Sequence, residues 1–129
     1  MSAQYAGLKG LRVFVVEDEF AVLLLIEDML SELGCELAGS ASRVADALGM
    51  VCERIPDVAV LDVNVAGEPV YPVAEFLVGQ NVPIVFSTGY GDRSLGEPWR
   101  SRPVVQKPYM LEQLASALLA SMGQGPSRA

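Results

Sequence analysis

Asp57-Val58-Ala59-Val60-Leu61-Asp62 decides the fold: an apolar run bounded at both ends by aspartate. A strand covered on both faces reads as near-continuous Val, Leu and Ala rather than as an alternation, and such strands belong to parallel sheets flanked by helices. Asp62 then stands at the strand's carboxyl end. In open α/β sheets ligands bind at that edge, so a carboxylate there is placed for chemistry rather than for packing.

Upstream, Leu11-Arg12-Val13-Phe14-Val15-Val16 reads as a buried first strand ending on Glu17-Asp18-Glu19, ahead of a helical pattern through Leu33. Asp18 is expected to cap that helix and Gly34 to close it. The helix carries more apolar residues than one buried face needs, with Val22, Leu25, Ile26 and Met29 as the surplus. Two readings stand for these four: a face offered to a partner protein, or a helix with few polar positions in a hydrophobic chain. Glu36 to Ala41 reads as a weaker edge strand, Ser42 as the cap of a second helix reaching about Arg54, and Pro56-Asp57 as the turn into the central strand.

Downstream, Val63 to Pro69 reads as a loop and Pro72 to Val78 as a short helix, proline being suited to a first helical turn. Pro83-Ile84-Val85-Phe86-Ser87 is the fourth strand and delivers Thr88 and Gly89 to the edge where Asp62 stands. From Tyr90 to Arg102 glycine and proline interrupt any helical period, so at most a short or irregular fourth helix is expected. Val104-Val105-Gln106 is the fifth strand and ends on Lys107-Pro108; Met110 to Met122 follows with leucines at helical spacing. Residues 11–122 form one domain in this reading, between a flexible lead-in at 1–10 and a flexible tail at 123–129.

Five strands alternating with helical segments predict an α/β protein: a (βα)5 flavodoxin-like, doubly wound parallel sheet of order 2-1-3-4-5. That order sets strands one and three side by side, so Glu17, Asp18 and Asp62 meet, while Thr88 and Lys107 arrive from strands four and five.

The 129 residues suit a single core without disulfides or structural metal. A net charge of -7 argues against a phosphate-backbone binder, and so against direct nucleic-acid binding. Two cysteines, Cys35 and Cys52, and no histidine offer neither a zinc pattern nor a disulfide framework. They suit small core positions in a reducing cytoplasm. The longest uninterrupted apolar run, Phe20 to Ile26, is far short of the roughly 20 residues that span a bilayer, so no membrane association is expected.

Carboxylates brought together repel, and the usual relief is a hard divalent cation such as Mg²⁺, which takes oxygen ligands. With such an ion and the Lys107 ammonium offsetting negative charge, Asp62 is placed to attack phosphorus and form an aspartyl phosphate. Thr88 could then donate its hydroxyl to a phosphoryl oxygen, and Gly89 leaves room for the phosphoryl group and its donor. Taken singly, each residue has an ordinary structural explanation as a cap, a loop entry or a solvated side chain. The joint pattern of an acidic pair after strand one, Asp after three, Thr after four and Lys-Pro after five does not reduce to those explanations.

That pattern resembles the receiver domain of two-component response regulators, across Leu11 to about Met122. The resemblance implies that Asp62 is the phosphoacceptor, that Asp18 and Asp62 ligate Mg²⁺ directly with the Asn64 main-chain carbonyl, and that Glu17 acts through water. It implies that Thr88 and Lys107 contact the phosphoryl group and couple it to conformational change. The chain departs from the family in having Val104 where most receivers carry an aromatic residue, and Asn64-Val65-Ala66-Gly67 where Met-Pro commonly follows the acceptor. Phe86-Ser87-Thr88-Gly89-Tyr90 and Gln106-Lys107-Pro108 instead resemble the Phe-Ala-Thr-Gly-Tyr subgroup. There Tyr90 and Pro108 are expected to modulate the site.

The implied role is a single-domain regulator that takes a phosphoryl group from a histidine kinase or histidine phosphotransfer protein and signals to a downstream protein target. It self-phosphorylates and self-dephosphorylates and is not a turnover enzyme. The alternative is a pseudo-receiver that binds partners without being phosphorylated. A flavodoxin-like electron carrier is disfavoured because Glu17-Asp18-Glu19 would repel a flavin phosphate, and a haloacid-dehalogenase-type phosphatase because no Asp-x-Asp follows strand one.

Overall fold

The computed structural model describes residues 3–89, 95–96 and 98–123. A 3-10 helix at Ala3–Leu8 leads into β1 (Arg12–Val16), α1 (Phe20–Glu32), β2 (Glu36–Ala41), α2 (Val44–Glu53) and β3 (Val58–Asp62). After β3 come two short strands, β4 (Asn64–Val65) and β5 (Glu68–Pro69), then α3 (Tyr71–Gly79), β6 (Ile84–Thr88), β7 (Val104–Gln106) and α4 (Leu111–Ser121). The main sheet has the order β2-β1-β3-β6-β7, every pairing parallel. These are the five predicted strands in the predicted flavodoxin-like order, with β3 buried at every position.

The alternation of side chains along each strand divides the core in two. Val13, Val15, Val58, Val60, Val85 and Val105 pack on one face against α1 and α4. Phe14, Val16, Ala59, Leu61, Ile84 and Phe86 pack on the other against α2 and α3. Both faces are thus covered, which is why the strands lack a polar alternation.

Several local expectations are corrected. The lead-in is not loose from residue 3 onward: Leu8 is fully buried, its carbonyl accepts from the Cys35 thiol at 3.4 Å, and the Gly10 amide bonds the Gly34 carbonyl at 2.7 Å. Asp18 does not cap α1; Glu19 holds that position without a side-chain bond, because the Asp18 carboxylate takes the Ala66 amide at 2.9 Å. Arg43 rather than Ser42 stands at the start of α2. Residues 63–69 carry the β4–β5 hairpin, whose turn is made by Ala66 and Gly67, both at positive φ as such hairpin turns require. Cys35 is buried as expected but Cys52 is exposed. Gly34 does close α1, at φ 83°.

Ile26 and Met29 are core residues and not part of a partner face: with Leu30 and Leu33 they form the i, i+3, i+4, i+7 stripe that lies on the sheet. Val22 is half-buried and Leu25 exposed, so only these two of the four remain on the surface.

Between β6 and β7 no helix is found among the described residues; residues 98–101 are turn. Trp99 anchors this connection. It is buried, lies flat on Tyr71 at a centroid distance of 5.7 Å and meets the Phe86 ring edge-on at 5.8 Å. Trp99→Ala is expected to lower stability by about 3–5 kcal/mol, since it empties a buried aromatic site. The check is a urea titration followed by far-ultraviolet circular dichroism, with the midpoint falling and the slope unchanged.

Candidate functional site

Side-chain alternation puts Asp62, the last residue of β3, and Glu17 and Lys107, just beyond the ends of β1 and β7, on the face that holds Val15, Val60 and Val105. The Lys107 ammonium lies 2.9 Å from Glu17 Oε1 and 3.0 Å from Asp62 Oδ2, and it donates hydrogen bonds to Glu17 Oε2 and Asp62 Oδ2. Glu17 and Asp62 are both buried, whereas Asp18 and Glu19 are exposed. The Glu17 carboxylate also accepts the Glu19 amide at 3.1 Å. A cleft of about 470 Å³ opens above them, lined by Asp18, Glu19, Asp62, Asn64, Gly89 and Lys107.

Burial pushes the Asp62 carboxyl up to about 6; the Lys107 hydrogen bond and charge pull the other way, and the Glu17 and Asp18 charges add to the rise. For Lys107 burial works against the charged form, but the hydrogen bonds and charges of Glu17 and Asp62 together outweigh it and hold the ammonium above its ordinary value. One lysine therefore does not compensate the acidic cluster fully.

Oxygens of Glu17, Asp18 and Asp62 lie within 4.8 Å of one another. Glu17 Oε1, although beside the ammonium, accepts no well-directed hydrogen bond, so buried acceptor capacity is left over. An all-oxygen donor set with spare lone pairs and unrelieved repulsion fits a hard divalent cation such as Mg²⁺.

Thr88 and Gly89 end β6 at the same edge. The Thr88 carbonyl accepts the Lys107 amide at 2.8 Å, which fixes the two backbones together. The Thr88 side chain is buried and follows Phe86 onto the α2/α3 face, so it does not line the cleft. A methyl group added to Gly89 would meet no atom within 4 Å, leaving that flank open. Pro108 is exposed beside it, and Val104, at the usual aromatic position, is exposed on the outermost strand. Tyr90 lies outside the described residues.

Two buried hydroxyl groups near the ion pair carry no signal in the motifs above. Ser87 stands in register with Asp62, and Tyr109 is buried two residues past Lys107. Neither hydroxyl makes a hydrogen bond of good geometry. Burial drives the Tyr109 phenol up to about 12, although Ser87 and Lys107 lower it in part. The register of Ser87 with the acceptor strand was the available signal.

No protein-family model matches the chain. It is similar to SdrG from Sphingomonas melonis Fr1, with 39% identity, a TM-score of 0.81, and coverage of 95% of this chain and 99% of that one. The BeF3-activated conformation of SdrG, from Pseudomonas melonis Fr1, aligns at 38% identity with a TM-score of 0.73, over 95% of this chain and 98% of that one. The receiver (REC) domain of the response regulator PhyR from Erythrobacter litoralis shares the fold at 24% identity and a TM-score of 0.80, over 96% and 98% of the two chains. The transcriptional regulatory protein PdtaR of Mycobacterium tuberculosis is 27% identical over 111 residues, 83% of this chain and 54% of PdtaR. The chain spans about half the length of the curated relatives it matches. Fold, site and relatives agree: the chain belongs to the response-regulator receiver domains.

The raised Asp62 pKa sets a pH dependence for the metal-free protein. Between about pH 4 and 6 the folded state keeps a proton that the unfolded state releases, so stability is greatest at the acid end and falls as pH rises through about 6. The loss is expected to be about 1–2 kcal/mol, allowing for partial solvent access to the cleft. Thermal melts at pH 4.5 and 7.5 in EDTA will show it; Asp62→Asn will remove it, and millimolar Mg²⁺ will restore stability at pH 7.5.

Proposed function

We propose that the protein is a phosphoacceptor receiver that takes a phosphoryl group onto Asp62 from a histidine kinase or histidine phosphotransfer protein and signals by protein contact. The observation that carries this reading is the ion-paired cluster: an aspartate at the end of β3, 3.0 Å from a lysine beyond β7, beside two further acidic residues from the end of β1. That SdrG has a BeF3-activated conformation supports it. No helix among the described residues is long and apolar enough to cross a membrane; we place the protein in the cytoplasm, where its donors would present their phosphohistidine.

An Asp62 carboxylate oxygen attacks the phosphorus of the donor. As the P–O bond forms, the N–P bond breaks and its electron pair returns to the imidazole, which leaves after taking a proton. Lys107 faces the carboxylate and offers its ammonium to the transferring oxygens. Since that ammonium is also bonded to Glu17, transfer exchanges one of its anionic partners for another. Glu17, Asp18, Asp62 and the Asn64 carbonyl would hold Mg²⁺, which when bound neutralises charge on the phosphoryl oxygens. The Thr88 hydroxyl would have to turn toward the cleft to reach the phosphoryl group, and this turn is the first structural step of signalling. The donor docks on the exposed flank of α1, where Val22 and Leu25 border an apolar cavity of about 310 Å³ with Gly89, Pro108 and Tyr109.

Incubation with radiolabelled acetyl phosphate and Mg²⁺ is expected to label the wild type and leave Asp62→Asn or an EDTA-treated sample unlabelled. Wild-type protein that stays unlabelled would favour the pseudo-receiver. With a cognate phosphohistidine donor, Leu25→Glu is expected to slow transfer at least tenfold while leaving acetyl phosphate labelling within twofold of wild type, measured by label transfer on gels.

A further inference from the structure

A groove of about 760 Å³ lies on the other flank of α1 from the Val22 and Leu25 cavity, between α1 and α2 over the edge strand β2. Its apolar wall is built from Phe20, Leu23 and Met50. Phe20 is 73% exposed and Met50 40%, so two large hydrophobic side chains stand in water on its rim. Its exposed charged lining among the described residues is acidic throughout, with Asp18 at one end beside the buried, lysine-paired Glu17, Asp46 and Glu53 along α2, and no lysine or arginine.

Gly49 completes the wall and lies inside α2, on an exposed face. A helix-interior glycine weakens a helix, and packing does not demand it here, because a side chain begun at Gly49 would meet no atom within 4 Å. What the missing side chain does is leave the groove open.

We propose that this groove is a second docking site, occupied by a segment of a partner protein that carries a bulky apolar anchor flanked by lysine or arginine. The exposed Phe20 and Met50 supply the apolar seat and the all-acidic lining selects a cationic flank. A second copy of this chain would bring another net charge of -7 and is a poor occupant. Because the groove ends on Glu17 and Asp18, an occupant would sit beside the carboxylates of the acidic cluster, within reach of changes in charge there.

The test uses the full ¹⁵N-labelled chain with Mg²⁺ and two synthetic 12-residue peptides with the same central Leu and Trp residues, one flanked by lysines and one by glutamates. The lysine peptide is expected to shift amides of residues 20–24 and 44–53, with affinity falling as salt rises; the glutamate peptide is expected to shift none. Gly49→Gln, which fills the groove and improves helix propensity, and the double variant Asp46→Lys/Glu53→Lys should each weaken binding at least tenfold. Leu25→Glu should leave it unchanged, as should the rate of labelling by acetyl phosphate in Gly49→Gln. The assignment is overturned if the lysine peptide does not bind at millimolar concentration, if both peptides bind equally, if the shifts fall on the Val22 and Leu25 flank, or if a folded Gly49→Gln binds as wild type does. Loss of acetyl phosphate labelling in the wild type would sink the phosphoacceptor reading and leave this one standing.

Discussion

One ammonium group holds the site together. Lys107, beyond the end of β7, reaches across the sheet edge to carboxylates beyond β1 and at the end of β3, at 2.9 and 3.0 Å. Two buried like charges so close would each cost several kcal/mol if left alone, and a single shared cation lowers that cost without removing it. The residue of the imbalance is visible in Asp62, whose carboxyl burial and the neighbouring carboxylates hold near 6 despite its hydrogen bond to lysine. The site is thus stable enough to form and electrostatically unsatisfied. An all-oxygen cluster in that condition fits a hard divalent cation.

The sheet makes this possible by geometry alone. Parallel strands present their carboxyl ends along one edge, and an alternation of two residues decides which side chains reach which face. Val13 and Val15 precede Glu17 in that alternation, Val58 and Val60 precede Asp62, and Val105 precedes Lys107; all five valines belong to one core cluster. The hydrophobic packing that fixes the register thereby fixes the direction of the three charged groups. The same rule sends Thr88 after Ile84 and Phe86 onto the opposite face, toward Trp99 and Tyr71. Thr88 is joined to Lys107 through its backbone carbonyl and separated from Asp62 by its side-chain direction. Its backbone thus belongs to the edge that carries the acidic site, while alternation turns its side chain to the face that carries Phe86.

The elements legible in the sequence are those fixed by local composition. Doubly covered strands announce themselves as unbroken apolar runs, and the residue that ends each run is by that fact at the edge, so Glu17, Asp62, Thr88 and Lys107 could be placed before any coordinates. What could not be read depends on contacts distant along the chain. Asp18 has the chemistry of a helix cap but is claimed by an amide 48 residues away. Leu8 belongs to the core, yet one leucine among Ala, Gly and Lys carries no period. In α1 the obstacle is different: the i, i+3, i+4, i+7 stripe of Ile26, Met29, Leu30 and Leu33 is present in the sequence, but the surplus of apolar residues blurs which stripe meets the sheet. Burial resolves it, leaving Phe20, Leu24 and Leu25 as the large exposed apolar side chains of that helix.

The described residues between β6 and β7 show how aromatic side chains cover this part of the sheet. A fourth helix would cover β6 and β7 with an amphipathic face, a role that glycine and proline between residues 89 and 103 make costly. Among the described residues of this connection, Trp99 closes on Tyr71 from α3 and on Phe86 from β6, and Leu95 packs against the same core. Phe86 lies two residues before Thr88 on β6, and alternation puts the two on the same face. Val104 is exposed on β7, so the aromatic contacts beside β6 are those that Tyr71 and Trp99 make with Phe86 rather than any made from position 104.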